Sequence, residues 1–261
     1  MDKIKVFLSD PQVFFREGIH FVLSGEEDFD VSGETTSNDE AYTLIEANPP
    51  NIAVLSMQDK KTSGPEITRR IKRSQPAVAV ILMTDKREDD KIFEAIKSGV
   101  SMCLTRDTEP EEFLDIIRVV SQGSLPILDE LMTPGLAVIT LAEFEDLKAV
   151  SERMDNLLAK LTQKESQALE GFAAGSDIEQ VAQKLGTTED NVRRYMRQIL
   201  NKLVANDQAE AVIEATQRSL PPIIRPLKKD GKTLEYVTKA EFNEFKDQLM
   251  DRLKSLLGGL S

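Results

Sequence analysis

Four residues capable of chemistry close four separate apolar runs. Asp10 follows Ile4–Leu8 and Ser9, Ser56 follows Ile52–Leu55, Thr84 follows Val78–Met83, and Arg106 comes just after Met102–Leu104. Neighbouring parallel strands bring such ends together, and the ligand sites of open α/β sheets form there. The cluster would offer one carboxylate, two hydroxyls and one guanidinium, and Pro11 beside Asp10 adds no ligand. It is a poor cage for Mg²⁺, which takes several hard oxygen ligands in octahedral geometry. Ser56 is a weak nucleophile without an adjacent base. Farther along lies a second set: Asn191, Arg193, Arg194, Arg197 and Gln198. Arginine is the best side-chain reader of guanine, and asparagine or glutamine can read adenine.

Positioning those sets takes more than one domain, and 261 residues are enough for two. A hydrophobic content of 40% with 30% charged residues suits a soluble globular protein. No apolar run approaches a membrane span, and the N-terminus, Met1 to Lys5, lacks the apolar core of a secretory signal. Cys103 is the single cysteine, which excludes an internal disulfide and fits a reducing cytoplasm. It lies in a strand-like run, where a buried, inert thiol is expected. His20 is the single histidine, which argues against a zinc site or a histidine-based catalytic set. Its place beside Phe21 on an apolar helical face predicts a core histidine. No metal and no cofactor are expected.

The net charge of −12 is uneven: residues 1–125 carry −8 and residues 126–160 carry −4, while 161–205 and 206–261 are each neutral. Bulk charge therefore opposes a whole-protein nucleic-acid binder but not a local site.

In residues 1–125, five strand-like runs (the four above and Phe29–Ser32) alternate with helical patterns near 12–25, 38–48, 64–74, 87–98 and 109–122. The alternation predicts an α/β domain with a doubly wound parallel sheet. Residues 126–160 read as a linker: Pro126, Pro134 and Gly135 first, then a capping box Thr140…Glu143 opening an amphipathic helix. Leu147, Val150, Met154 and Leu157 follow at alternating spacings of three and four, a heptad seam; a helix packed on its own domain gives the same pattern. A partial repeat around Thr238…Glu241 caps another amphipathic helix, with Phe242, Leu249, Leu253 and Leu256 on its apolar face. That helix belongs to residues 219–261, a connector followed by a C-terminal helix. Residues 161–218 open on a third capping box, Thr162…Glu165, and predict four helices near 163–174, 178–185, 188–203 and 207–218. Gly175 and Gly186 fall at the chain reversals.

Val6 to Gly18, with Phe15-Arg16-Glu17-Gly18, resembles the receiver domain of bacterial two-component response regulators, in their NarL/LuxR branch. Residues 161–216 resemble the LuxR-type helix-turn-helix through Leu161-Thr162, Glu165, Leu169-Glu170, Gly175, Val181-Ala182, Leu185-Gly186, Val192, Ile199 and Lys202-Leu203. The resemblance implies a flavodoxin-like (βα)5 fold for 1–125 and an all-α helix-turn-helix domain after it. It also places Ser56 where the family carries the aspartate that accepts a phosphoryl group. Pro11 replaces the second acid that holds Mg²⁺, Arg106 replaces a lysine, and Thr84 takes the hydroxyl position. Three of these substitutions agree in removing phosphoryl chemistry, so Asp10, Pro11, Ser56, Thr84 and Arg106 are expected to be a salt-bridged vestige. In the helix-turn-helix family the third helix enters the major groove. By resemblance, Asn191, Arg193, Arg194, Arg197 and Gln198 would meet bases, with Lys164 and Lys202 on phosphates.

The expected protein is a dimeric, cytoplasmic DNA-binding transcription regulator whose pseudo-receiver acts without aspartyl phosphorylation. Its partners would be double-stranded DNA, a second copy through the capped helices and a possible protein partner for the receiver, with no membrane. The alternative is a signalling scaffold that works only by protein contacts. No catalytic set is complete, so an enzyme is not expected.

Overall fold

The computed structural model describes residues 3–153, 158–219 and 247. The first part alternates β1 (Ile4–Ser9), α1 (Val13–Ser24), β2 (Phe29–Thr35), α2 (Asn38–Ala47), β3 (Ile52–Ser56), α3 (Gly64–Ser74), β4 (Ala79–Thr84), α4 (Asp89–Ser98), β5 (Met102–Thr105) and α5 (Pro110–Ser121). The strands pair in parallel in the order β2-β1-β3-β4-β5, the flavodoxin-like arrangement. Every residue of β3 is buried, as expected of a central parallel strand covered on both faces. One face packs Val6, Leu8, Val54 and Ile81 against Ile19 and Leu23 of α1 and Phe113 and Ile117 of α5. The other packs Ala53, Leu55 and Leu82 against Ile45, Ile67, Ile71 and Ile96. Register puts Ser9 beside Leu55, Ser56 beside Met83 and Thr84 beside Thr105, so the strand ends that carry the polar cluster are aligned.

The expected linker is helical almost throughout: α6 (Ile127–Leu131) and α7 (Pro134–Arg153) occupy it. Pro134 opens α7, a first-turn position where its missing N–H is no loss. Thr140 is therefore not the N-cap expected of it. It lies inside α7, fully buried, and its hydroxyl donates to the Leu136 carbonyl at 2.7 Å, the other local bond open to a threonine in a helix. Glu143, the other half of that capping box, instead accepts from Lys97 of α4 at 3.1 Å. Burial disfavours the charged ammonium of Lys97, but Glu94 and Glu143 outweigh it and raise its pKa.

Leu147 does not offer a seam to a second chain. It is buried within this one, as is Phe144, on a helix that packs against α4 and against the helix that follows it. The side chain of Val150 and residues Met154, Leu157, Phe242, Leu249, Leu253 and Leu256 lie outside what the structure describes.

The last described segment comprises α8 (Gln163–Ala173), α9 (Ile178–Lys184) and α10 (Glu189–Ser219). Thr162 with Glu165 and Asp177 with Gln180 form capping boxes at the starts of α8 and α9. Gly175 and Gly186 take positive φ, 82° and 61°, where a side chain would be strained. The two helices expected at 188–203 and 207–218 are one continuous helix. Val204, Ala205 and Asn206 between them include no glycine or proline to end it. The apolar cluster on the α4 face of the sheet runs on without a break through Leu131, Leu136 and Phe144 to Leu169, Phe172, Met196 and Ile199. Residues up to Val204 accordingly form one compact unit. Among the described residues no helix is long and apolar enough to cross a membrane.

Candidate functional site

Arg106 organises the strand-end cluster from the turn after β5. Its Nη2 donates to Asp10 Oδ2 at 2.7 Å and to Ser56 Oγ at 3.1 Å, and its Nη1 pairs with Asp85. The side chains of Arg106 and Asp10 are only 12% and 5% exposed, against 52% for Asp85. The other oxygen of Asp10 accepts from the Gln12 N–H at 2.8 Å, and the Ser56 hydroxyl donates to the Gln58 carbonyl at 3.1 Å. The guanidinium thus occupies the space between Asp10 and Ser56. Thr84 stands at the end of β4, but its hydroxyl donates to the Lys86 carbonyl at 3.1 Å, and Pro11 is exposed. Of the five positions singled out, the structure joins Asp10, Ser56 and Arg106 by side-chain hydrogen bonds, ties Thr84 to Arg106 only through the main chain (the Arg106 N–H donates to the Thr84 carbonyl at 3.0 Å) and leaves Pro11 apart. Asp85 was missed, although its place directly after Thr84 at a strand end was a usable signal. Asn38, fully buried, steadies the same loops: its amide donates to the carbonyls of Ser56 and Thr62, and its oxygen accepts from Ser9.

His20 and Cys103 lie away from this cluster. His20 is not in the core as expected: its side chain is 40% exposed and lies 2.9 Å from Glu34. Helix α1 turns that edge outward, toward the acid on β2. Cys103 is buried, and loss of solvation pushes its thiol up to about 12.

The second set lies on α10. Thr188 precedes the helix and its hydroxyl accepts from the Asn191 N–H at 3.4 Å, while Glu189 and Asp190 occupy the positive end of the helix dipole. Val192, Met196, Ile199 and Leu203 are buried on one face. Arg193, Arg194, Arg197 and Gln198 are exposed; Asn191 is half-buried, with its amide donating to Thr187 at 2.8 Å. Lys164 is exposed on α8. Lys202 is not free for a phosphate. Its ammonium is 2.6 Å from the Glu165 carboxylate, whose side chain is 1% exposed, and 3.0 Å from the Lys160 carbonyl. A buried carboxylate requires a partner, and the i+37 spacing gave no warning of this one.

Burial opposes ionisation of Glu165, but the Lys202 ammonium and the Thr162 N–H outweigh it and hold the carboxyl below its ordinary range. A depressed folded-state pKa stabilises the fold above the unfolded value, about 4.3, and the gain is lost as pH falls through the folded value. Replacing Lys202 with methionine should cost about 2 kcal/mol near neutrality and flatten this acid-side loss. Urea unfolding at pH 7 and at progressively lower pH measures both effects.

Arg193, Arg194 and Arg197 of α10 lie beside α5 and the segment that enters α6. Arg193 pairs with Asp129 of α6 at 2.9 Å. A groove of about 910 Å³ is lined by Glu112, Asp115 and Val119 of α5 on one side and by Arg193, Arg194 and Arg197 on the other. Acid thus lies opposite base across an open cleft. Asp129 carried no signal in the sequence, because only the packing of α6 through α10 brings it to Arg193.

Two family descriptions match the chain: the response regulator receiver domain over residues 6–118, and bacterial regulatory proteins of the luxR family over residues 159–215. The chain is 28% identical over 219 residues to the uncharacterized transcriptional regulatory protein YxjL of Bacillus subtilis, covering 84% of this chain and 98% of that one. It is 24% identical over 215 residues to the nitrate/nitrite response regulator protein NarL of Escherichia coli, covering 82% and 96%. It is 28% identical over 221 residues to the DNA-binding transcriptional activator DevR/DosR of Mycobacterium tuberculosis, covering 84% and 98%. Among solved structures, the RcsB response regulator of Salmonella typhimurium aligns over 78% of this chain and 93% of its own at 18% identity, with a TM-score of 0.47.

Proposed function

We propose that this chain, a response-regulator receiver joined to a LuxR-type domain, is a sequence-specific DNA-binding transcription regulator that works without aspartyl phosphorylation. The observation that carries the DNA reading is the exposed row Arg193, Arg194 and Arg197 on a helix whose opposite face is buried. The names of relatives such as the transcriptional regulatory protein YxjL and the DNA-binding transcriptional activator DevR/DosR support the same reading. Two half-sites bind better than one, so the regulator acts as a dimer. Leu147 is buried within this chain, which leaves Val150, Met154, Leu157, Phe242, Leu249, Leu253 and Leu256 as candidates for that contact.

Mobility shift on genomic fragments at several salt concentrations tests the proposal. Binding should favour particular fragments and weaken linearly in log–log terms with salt. Uniform failure to bind would move the scaffold reading ahead. That reading draws on the pairing of Arg193 with Asp129, which engages a base-reading candidate with protein. The pair is half-exposed, so its strength is small, about 0–1 kcal/mol. Asp129→Ala should accordingly raise DNA affinity less than tenfold, measured by the same assay.

Loss of the phosphoryl switch rests on Ser56, Pro11 and the guanidinium lodged beside Asp10. Small-molecule phosphodonors should leave the receiver unmodified by intact-mass measurement. Ser56→Asp alone should not restore full acceptance, because the metal cage still lacks a carboxylate at position 11.

A further inference from the structure

We propose that Asp190 is a specificity-determining residue of α10, whose carboxylate accepts a hydrogen bond from the exocyclic amine of a cytosine in the major groove. The proposal rests on the DNA reading above and names a base which that reading leaves open. Asp190, Arg193, Arg194 and Arg197 line one wall of the groove beside α5. Their spacings of three, one and three put them on a single face of the helix. All four are exposed.

Local structure does not call for a carboxylate in that row. Thr188 caps the start of α10, its hydroxyl accepting from the Asn191 N–H at 3.4 Å, and Glu189 already places an acid in the first turn. On a surface that meets DNA, Asp190 repels phosphates and weakens binding to every sequence. Among the described residues no hydrogen bond or ion pair engages its side chain: Arg193 pairs with Asp129 instead, and the Arg194 guanidinium lies 6.0 Å from the Tyr195 ring centroid. Both carboxylate oxygens are open to a donor.

Position and chemistry select that donor. The N-terminal residues of a recognition helix meet base edges, and Asp190 is the second residue of α10. In the major groove cytosine shows only its N4 amine. Guanine shows two acceptors, thymine an acceptor and a methyl group, and adenine sets its N7 acceptor beside the N6 amine. An ionised carboxylate accepts and cannot donate, so cytosine alone meets it without an opposing lone pair. The arginines farther along the face prefer guanine. From Asp190 to Arg197 the helix rises about 10 Å, roughly three base-pair steps of about 3.4 Å. The preferred site therefore holds a cytosine within about three base pairs of a guanine contact.

The test uses the full chain and a duplex library randomised over the site. Bound sequences are selected, and each base pair of the selected site is then varied singly in competition binding. Wild type should prefer cytosine at one position by roughly fivefold or more, the low end for a base contact. Asp190→Ala should abolish that preference, keep the guanine preferences, and bind sequences lacking the cytosine more tightly than wild type does. Asp190→Asn should move the preference to adenine, which an amide reads through N6 and N7. An Asp190 that serves only the helix dipole would, when replaced, lower the thermal midpoint and leave base preference untouched, and that pattern overturns the proposal. So does an Asp190→Ala variant that gains affinity for all sequences alike, because the carboxylate then only repels. Wild type that binds every sequence equally sinks the DNA reading and this proposal with it. A cytosine preference that survives Asp190→Ala sinks this proposal alone.

Discussion

Replacing Arg106 with methionine should destabilise the folded chain by about 3–5 kcal/mol, the usual cost of breaking a buried ion pair from one side. Methionine fills similar space, so the loss is electrostatic. Asp10, 5% exposed, keeps its Gln12 N–H partner and loses the guanidinium. Asp10→Asn in the same background should recover part of the stability, because an amide oxygen can still accept from Gln12 and carries no charge to bury. Midpoints of urea unfolding for the single and double variants measure the difference. A loss under 1 kcal/mol for Arg106→Met would mean that water reaches Asp10 and that the cluster is not closed.

The second large effect concerns the exposed face of α10. Arg193 and Arg197 are four residues apart and share that face. Converting both to alanine should cost about 1–3 kcal/mol for each arginine that reads a base, with relaxed preference at the corresponding base pairs. Lys164→Ala should instead weaken all sequences alike and lower the salt slope by about one. Competition binding against a panel of single-base variants separates the two patterns. Wild-type binding by the double variant would show that α10 is not the reader.

The sheet and its helices were legible because alternation of apolar runs with 3.6-residue patterns is set by local sequence. The strand-end cluster was legible too, since parallel strands end on one edge. What escaped was long-range or permissive. The Thr140 capping box is a local signature that an upstream proline and an apolar stretch overrode. The break expected near 204 rested on family spacing, whereas Val204-Ala205-Asn206 can continue a helix. Lys202 looked like a surface cation because its partner Glu165 is 37 residues away. Leu147 sat in a seam pattern that an intramolecular helix pair satisfies equally well.

The unbroken apolar cluster from α4 through α7 to α8 and α10 bears on how such a chain can be inherited and engineered. Receivers and effectors joined by a loose tether can be cut and exchanged. Here a cut at residue 125 would strip α7 from α4 and lay bare the surface that each helix buries on the other. Each fragment would carry a sticky wound in place of a domain surface. Any transplantation must therefore move α6 and α7 together with both of the surfaces they bury, and mutations that repack one half must be answered in the other.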